Sequence, residues 1–303
     1  MQSPLRFLSA NTNLRPKLAC EITSDGVIAA RQGESQEAVM AFAPLAAGVV
    51  TPGLKTPNLA DQPPVVAALR KALDEVAARD NKLTVVIPDA AVRVLLMDFD
   101  TLPAKAQEAL PIVRFRLRKL TPFEVDDAAV SYQIMHQSAQ QLRLLVTVMP
   151  AAVLAEYESA VRAAGYEPGV VLPSTLASLA ALNSSEAALV INRNGLSVTT
   201  AITRGDELLL HRTLELPSSV DSHSEELAQT VSVAMAYFED TLSTPPSSIY
   251  YVGPGGAAEF TRALGPAAEE QSPRVRDLAG SALGAVSAIP KGLAAGVLGA
   301  LAS

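Results

Sequence analysis

The chain has 303 residues, a formal net charge of -7, 4% aromatic residues and no tryptophan. An acidic chain with so few aromatic side chains argues against a nucleic-acid-binding surface, which needs cations and stacking platforms. One cysteine, Cys20, and three histidines at unrelated spacings exclude a disulfide framework and a zinc-binding pattern. We therefore expect a protein of a reducing compartment that needs neither a disulfide nor a metal to fold.

The two ends of the chain bear on export and membrane insertion. The N-terminal segment lacks the continuous apolar stretch of a signal peptide, so we expect a cytoplasmic protein. The apolar run from Gly280 to Ser303 is divided by Pro290-Lys291 into two pieces, each too short to cross a bilayer. The sequence therefore predicts a buried terminal helix and no membrane span.

The first part of the chain predicts a β-hairpin followed by an amphipathic helix. The hairpin turn is Thr23-Ser24-Asp25-Gly26, and the segment from there to Asn58 has no regular pattern beyond the second hairpin strand. A helix is expected from Gln62 through Arg79, because apolar residues recur there at helical spacing. The strands expected before and after this helix are residues 17–22, 27–31, 83–87 and 92–97.

The next helix is expected after Asp100-Thr101-Leu102-Pro103, which supplies an N-cap and an early proline, and it runs through Lys119. Its last turns carry Arg114, Arg118 and Lys119. Two interpretations stay open: these cations complement the negative end of the helix dipole, or they form a basic ledge that meets a partner or an anionic membrane surface. The elements expected next are strands 130–135 and 142–148, a helix at 151–164 and a helix ending at Leu182.

A meander of three strands forms the centre of the pattern, at residues 187–191, 196–202 and 208–214. The first turn, residues 192–195, contains residue types that tolerate positive φ, so its backbone N–H groups could converge on an anion. A helix over residues 225–242 follows, and then a strand over 248–252 that runs into Gly253-Pro254-Gly255-Gly256. This order predicts a duplicated α/β fold.

Two hairpins with Asp or Gly in their turns, followed by a strand ending in Gly-x-Gly-Gly, form the layout by which actin-like proteins hold a nucleotide. A more specific pattern covers residues 102–135 and 142–182. It consists of a helix, Pro122-Phe123, acidic residues, a strand with Tyr132-Gln133, a second helix, the sequence Ala-Gly-Tyr-Glu-Pro and a helix of small residues. In kind, order and spacing this pattern resembles the PilM family, the cytoplasmic actin-like proteins of type IV pilus assembly.

The resemblance implies an α/β, actin-like (ribonuclease H-like) fold with duplicated domains and a small inserted αβ subdomain. The first domain would comprise residues 1–81 and 166–184, the insertion residues 82–165, and a truncated second domain residues 185–303. The resemblance also implies a cytoplasmic scaffold, peripheral to the inner membrane, that holds the tail of a PilN-like single-span protein in a groove beside the insertion. The residues expected at this groove are Arg114, Arg116, Arg118, Pro122 and Phe123. A homo-oligomer is compatible with the sequence.

The resemblance further implies positions for a nucleotide, and the chain departs from the family pattern there. Thr23 stands where the family has a glycine that lets the backbone approach a phosphate, and the second hairpin turn has no carboxylate. Glu21 keeps an acid that could hold Mg²⁺ through water. The cofactor positions are Glu21, Ser24, Asp25, Asn192, Asn194, Gly195, Thr199, Thr200, Gly253, Gly255 and Gly256.

A subdomain of the family is also expected to be missing, because residues 212–216 lead almost directly into the next helix. In the family this subdomain walls one side of the adenosine. We therefore expect weak binding of ATP and Mg²⁺ or none, and a pseudo-ATPase rather than a catalyst. The alternatives are a working actin-like ATPase or sugar-kinase relative, for which Glu21 and Asp25 are the available carboxylate bases, and a polymerising actin homologue.

Overall fold

A computed structural model of the chain describes residues 16–33, 38–138, 140–182, 184, 186–217, 220–265, 273–280 and 289–302. Its strands form two five-stranded sheets and one three-stranded sheet. Both large sheets follow one plan, in which a three-stranded antiparallel meander continues into two parallel strands. The predicted duplicated α/β architecture is therefore confirmed.

The first sheet contains β1 (Leu18–Ile22), β2 (Gly26–Gln32), β3 (Ala38–Pro44), β4 (Lys82–Ile87) and β8 (Glu167–Pro173), in the order β3-β2-β1-β4-β8. Helix α1 (Gln62–Val76) covers it, with buried apolar residues at helical spacing. β3 lies in the segment that we predicted to be irregular. That prediction is wrong. The buried positions of this strand are Ala41 and Ala43, and alanine gives a weak strand signal. The strand forms because it pairs with β2 along its whole length.

The inserted subdomain is an antiparallel sheet of β5 (Arg93–Phe99), β7 (Leu142–Pro150) and β6 (Ala128–Gln137), in that order. Helix α2 (Ala106–Leu117) covers one face of it and buries Ala109, Val113 and Leu117. The N-cap predicted near Asp100 is wrong, because the chain before the helix is still extended at Lys105. Leu102, in the extended segment before the helix, packs against the core of this subdomain.

Two elements within residues 82–165, the predicted insertion, contact the first domain, one by strand pairing and one by helix packing. β4 pairs with β1 and β8. Helix α3 (Ala151–Ala163) packs against α1 and β8. The separate three-stranded sheet therefore spans residues 93–150.

The second sheet contains β9 (Ala187–Asn194), β10 (Ser197–Arg204), β11 (Glu207–Glu215), β12 (Ser248–Val252) and β13 (Arg274–Asp277), in the order β11-β10-β9-β12-β13. Helix α4 (Ser174–Leu179) leads from the first sheet toward it, and helices α5 (Val220–Leu242) and α6 (Gly256–Leu264) pack beside it. α5 begins five residues after β11 ends, at Val220 and Glu215 respectively, which confirms the predicted direct connection.

The last helix, α7 (Ala295–Ala302), returns to the first domain and packs on α4 and β1. Its buried residues include Ala295, Val297 and Ala300, so the predicted buried terminal helix is confirmed for this part of the apolar run. Residues 281–288 of that run lie outside the described residues. Within the described part of the chain, no helix is both long enough and apolar enough to span a membrane.

Candidate nucleotide cleft and partner groove

The turns of the two hairpins meet where the two large sheets face each other. The backbone N–H and the side-chain hydroxyl of Ser24 each donate a hydrogen bond to Asn194 Oδ1 at 3.1 Å. Gly195 has a φ of 57°, and a Cβ on it would lie 2.6 Å from Ser24 Oγ, so this approach requires glycine. The structure thus brings three predicted nucleotide residues together, and they contact one another.

The space that remains between the turns is small. It is a cavity of about 10 Å³ whose lining includes Glu21, Asp25, Asn192, Asn194 and Gly253. One water molecule occupies about 10–15 Å³ on the same measure. A phosphate chain does not fit into this small cavity, but Ser24, Asp25, Asn194 and Gly195 of the same turns also line a larger cavity of about 970 Å³.

Asp25 and Arg193 form an oppositely charged pair of side chains beside this cavity. Burial raises the pKa of the Asp25 carboxyl, and the charge of the Arg193 guanidinium opposes that rise. The buried Arg193 Nε has no hydrogen-bond partner within the described ranges. The second hairpin thus presents a cation to the cleft at a turn where the family pattern has a carboxylate.

Glu21, the acid expected to hold Mg²⁺, is enclosed by the protein. Its Oε1 accepts a hydrogen bond of 2.5 Å from the Ser174 hydroxyl, and a Cβ on Gly296 of α7 would overlap its Oε2. Burial raises the pKa of Glu21 to about 8, the nearby Asp89 adds to the rise, and the hydrogen bonds from Ser174 and the Val297 backbone oppose it. A carboxyl that is protonated at neutral pH is a poor ligand for magnesium, so Glu21 does not fit the role of a magnesium-binding acid.

Asn192 joins the second sheet to the first through buried polar contacts. Its Nδ2 donates to Ser174 Oγ and Thr175 Oγ1 at 3.0 Å each, and it lies 3.4 Å from Asp89 Oδ2. The Asp89 carboxylate also accepts hydrogen bonds from the backbone N–H and hydroxyl of Thr175. Such a network gains strength from its low-dielectric surroundings as long as its members are satisfied.

His211 of β11 lies against the same network. Its Nε2 is 3.9 Å from Asp89 Oδ1, and burial lowers the pKa of the imidazole while the Asp89 charge opposes the change. No described residue hydrogen-bonds to Nε2. Burial therefore favours the neutral imidazole.

Asp89, Ser174 and Thr175 were not predicted as site residues from the sequence. Asp89 follows the carboxyl end of β4 and Ser174 follows that of β8, while Glu21 lies near the end of β1. These three strands are parallel neighbours, so their carboxyl ends share one edge of the sheet, where ligands of α/β proteins commonly bind. A polar residue directly after each apolar strand is the signal that could have found them.

Four of the predicted nucleotide residues lie away from the cavity. Thr199 Oγ1 shares a hydrogen bond of 2.9 Å with Thr213 Oγ1, and Thr200 Oγ1 lies 3.5 Å from the Arg212 carbonyl oxygen. Gly255 and Gly256 form the positive-φ turn before α6 and face Glu259 and Asp277 respectively. All four make their contacts within the second domain.

The arginines of α2, expected at the partner groove, bind their own subdomain. Arg114 Nη1 donates to the Val125 carbonyl oxygen at 2.5 Å. The Arg116 guanidinium donates to the Asp98 carbonyl oxygen and lies 4.5 Å from the centre of the Phe99 ring. Neither cation is paired with a carboxylate by these contacts.

The remaining predicted partner residues are spread over different surroundings. Arg118 forms a bidentate pair with Asp126, at 2.8 and 3.1 Å. Phe123 packs against the core of the inserted subdomain. Pro122 lines a cavity of about 970 Å³ beside the hairpin turns, whose rim also includes Leu196.

A second groove, of about 250 Å³, separates the inserted subdomain from the first domain. We call it the β6–β8 groove, because β6 ends the three-stranded sheet, β8 ends the first sheet, and both contribute to its walls. Among the described strands, each of the two has a neighbour on one side only. The lining residues include Val130, Ser131, Thr147, Val148, Leu154, Glu158, Gly169 and Val171. The five predicted partner residues do not line it.

The structure resembles several solved structures. One is a PilM-PilN type IV pilus biogenesis complex, with a TM-score of 0.74 and 17% identity over 94% of this chain and 98% of that chain. Another is a Bacteroides thetaiotaomicron protein with an actin-like ATPase fold and unknown function, with a TM-score of 0.52 and 8% identity over 88% of this chain and 93% of that chain. The chain has an actin-like fold of the PilM type.

A third similar structure is the cytoplasmic domain of EpsL, an inner membrane component of the type II secretion system of Vibrio cholerae. It has a TM-score of 0.52 and 12% identity over 94% of this chain and 92% of that chain. No protein-family model matches the chain, and no curated protein matches it either. At these identities the likeness establishes the fold, as the sequence pattern predicted.

Proposed function

We propose that the chain is a cytoplasmic scaffold of type IV pilus assembly or a related secretion system, peripheral to the inner membrane. In this role it binds the cytoplasmic tail of a PilN-like single-span membrane protein. The observation that carries the proposal is the likeness in fold to the PilM-PilN complex over 94% of this chain. The likeness to the cytoplasmic domain of a type II secretion component supports the wider group of machines.

We place the tail in the β6–β8 groove. A strand at the edge of a sheet presents unpaired backbone N–H and C=O groups, which favour the addition of an extended peptide. Two such edges border this groove, and its walls supply apolar side chains such as Val130 and Leu154 beside the polar Ser131 and Glu158. Backbone hydrogen bonds would supply affinity, and alternate side chains of the peptide would enter the apolar part.

The placement is tested with Ser131→Arg, a change at an exposed position of β6 that fills the groove without opening the core. The probe is a synthetic peptide with the N-terminal tail of the single-span protein encoded beside this chain's gene. We expect binding to weaken by at least about tenfold, or about 1.4 kcal/mol. The matched control is His136→Arg, which adds the same charge at an exposed position of the same strand, outside the groove lining.

A third variant separates the two cavities. Leu196→Arg places the same side chain at the rim of the 970 Å³ cavity. If Leu196→Arg weakens binding and Ser131→Arg does not, the tail occupies the larger cavity and our placement is wrong. If the parent protein binds no peptide, the scaffold proposal itself loses its support.

We further propose that the chain binds ATP weakly or not at all. The proposal is supported by the 10 Å³ cavity, the direct contact between Ser24 and Asn194, and the raised pKa of Glu21. Calorimetric titration with Mg-ATP is expected to give a dissociation constant of about 1 mM or weaker, at most about 4 kcal/mol of binding. A low-micromolar constant, near 8 kcal/mol, would contradict it.

An actin-like kinase or ATPase is disfavoured by the same contacts. Either enzyme needs a carboxylate base that reaches the reacting group. Asp89, the best-placed carboxylate at the sheet edge, is 3% exposed and is held by Thr175. Glu21 is enclosed by α7, and Asp89, although it lines the cavity of about 970 Å³, exposes little of its carboxylate there.

A further inference from the structure

Helix α2 and the turn after it expose an apolar surface that the core does not use. Ile112 is 43% exposed, Phe115 is 67% exposed and Leu120 is 51% exposed. The side of α2 that packs on the sheet is instead formed by small and branched residues spaced four apart. The helix is therefore apolar on two faces, and one of them has no cover from the described residues.

Cations stand beside this uncovered face. Residues three and four apart are neighbours on a helix surface, so Phe115 lies between Ile112 on one side and Arg118 and Lys119 on the other. We call these residues, with Leu120, the α2 outer face. It combines a protruding aromatic ring with positive charge at the end of the helix.

The charge of this segment is opposite to that of the whole chain. Residues 105–120 contain five Lys and Arg side chains and one Glu, whereas the chain as a whole carries -7. Arg114 and Arg116 donate to backbone carbonyls, so these contacts leave their charges in place. Lys119 forms no ion pair with a described residue.

Acidic side chains reduce this charge at one point. Asp126 pairs with Arg118, and Glu124 adds a further negative charge in the same turn. Arg114, Arg116 and Lys119 form no ion pair with a described residue, but the pKa of the Asp98 carboxyl, lowered mainly by Arg143, is lowered further by the charge of Arg116. Lys119 lies one helical turn beyond Phe115, and Arg114 and Arg116 flank it in sequence.

We propose that the α2 outer face docks the protein on an anionic lipid bilayer. Phe115, Ile112 and Leu120 enter the headgroup region, while the cations meet the lipid phosphates. Because the rest of an acidic protein is repelled by such a surface, this one basic and apolar face also sets the orientation of the bound molecule. The proposal is independent of the tail groove, since it needs no partner protein.

The absence of tryptophan from the chain provides a direct test. In the Phe115→Trp variant, the only indole of the protein stands on the α2 outer face. We expect its emission to shift to shorter wavelength with vesicles of phosphatidylcholine plus phosphatidylglycerol, and not with phosphatidylcholine alone. The matched control is Tyr237→Trp on α5, where the original ring is 43% exposed; its emission is expected to stay constant.

Cosedimentation with the same vesicles measures the affinity. Phe115→Ser and Lys119→Glu should each weaken binding to the anionic vesicles by about tenfold, whereas Tyr237→Ser should bind as the parent does. Added salt should also weaken binding, because it screens the cations. If the parent does not sediment with anionic vesicles, or if the Phe115→Trp emission does not respond to them, the proposal is overturned and the face serves a protein partner or none. The peptide assay contains no lipid, so it tests the scaffold proposal separately.

Discussion

Glu21→Gln is expected to make the protein more stable at pH 8 and to leave its stability nearly unchanged at pH 4.5. Glutamine has the shape of the protonated glutamic acid and keeps a group that can accept the Ser174 hydrogen bond. Below the unfolded pKa of 4.5, the parent carboxyl is protonated in both the folded and the unfolded state. The two proteins therefore differ little there.

The parent loses stability as the pH rises from 4.5 to about 8. Over that range the unfolded carboxyl has released its proton, while burial keeps the folded carboxyl protonated. The unfolded state binds fewer protons, so the free energy of unfolding falls with increasing pH. A pKa that rises from 4.5 to about 8 corresponds to a loss of about 4–5 kcal/mol, an order-of-magnitude figure.

Urea unfolding at several pH values between these limits measures the effect for both proteins. The free energy of unfolding of Glu21→Gln should fall much less with rising pH than that of the parent. The difference in stability between the two proteins therefore grows with pH. Glu215→Gln on β11 is the control, because it makes the same change at an exposed side chain. Parallel stability curves for the parent and Glu21→Gln would show that the Glu21 carboxyl is solvated and that the cleft is open.

The elements that the sequence predicted correctly are those with strong local patterns. The β1–β2 hairpin, the β9–β11 meander and α5 each combine regular apolar spacing with a recognisable turn or a long run. The first turn of the meander was predicted at residues 192–195 and lies instead at Gly195-Leu196, because pairing with β10 extends β9 to Asn194. β13 was missed because it has four residues and is ordered by parallel pairing with β12, a contact distant in sequence. Local pattern does not contain that information.

The candidate site was predicted less well, because the hydrogen-bond partners of a polar side chain depend on which elements pack against it. Asn192 was predicted to bind a nucleotide, and in the structure it donates hydrogen bonds to Ser174 and Thr175 of the first domain. Glu21 was interpreted as a metal-binding acid, and only the return of α7 shows that it is buried. The sequence locates the turns of the cleft, whereas the contacts that close it are long-range.

Gly299→Ala is expected to destabilise the protein by about 2 kcal/mol, although the same change inside an exposed helix stabilises by up to about 1 kcal/mol. A Cβ on Gly299 would overlap the carbonyl oxygen of Ala177 in α4. Because the obstructing atom belongs to the backbone, no side-chain rotation relieves the overlap, and α7 has to move away from α4. A change in the free energy of unfolding that is destabilising here, where an exposed helix would be stabilised, identifies close packing at Gly299.

The control is Gly53→Ala, where a Cβ meets nothing within 4 Å. Its stability in urea unfolding should stay within about 0.5 kcal/mol of the parent. Gly299→Ala should also reduce the pH dependence described for Glu21, because a displaced α7 admits water to the carboxyl that it covers. If Gly299→Ala is as stable as the parent and keeps the full pH dependence, α7 does not pack on α4 as described, and the closed cleft loses the helix that seals it.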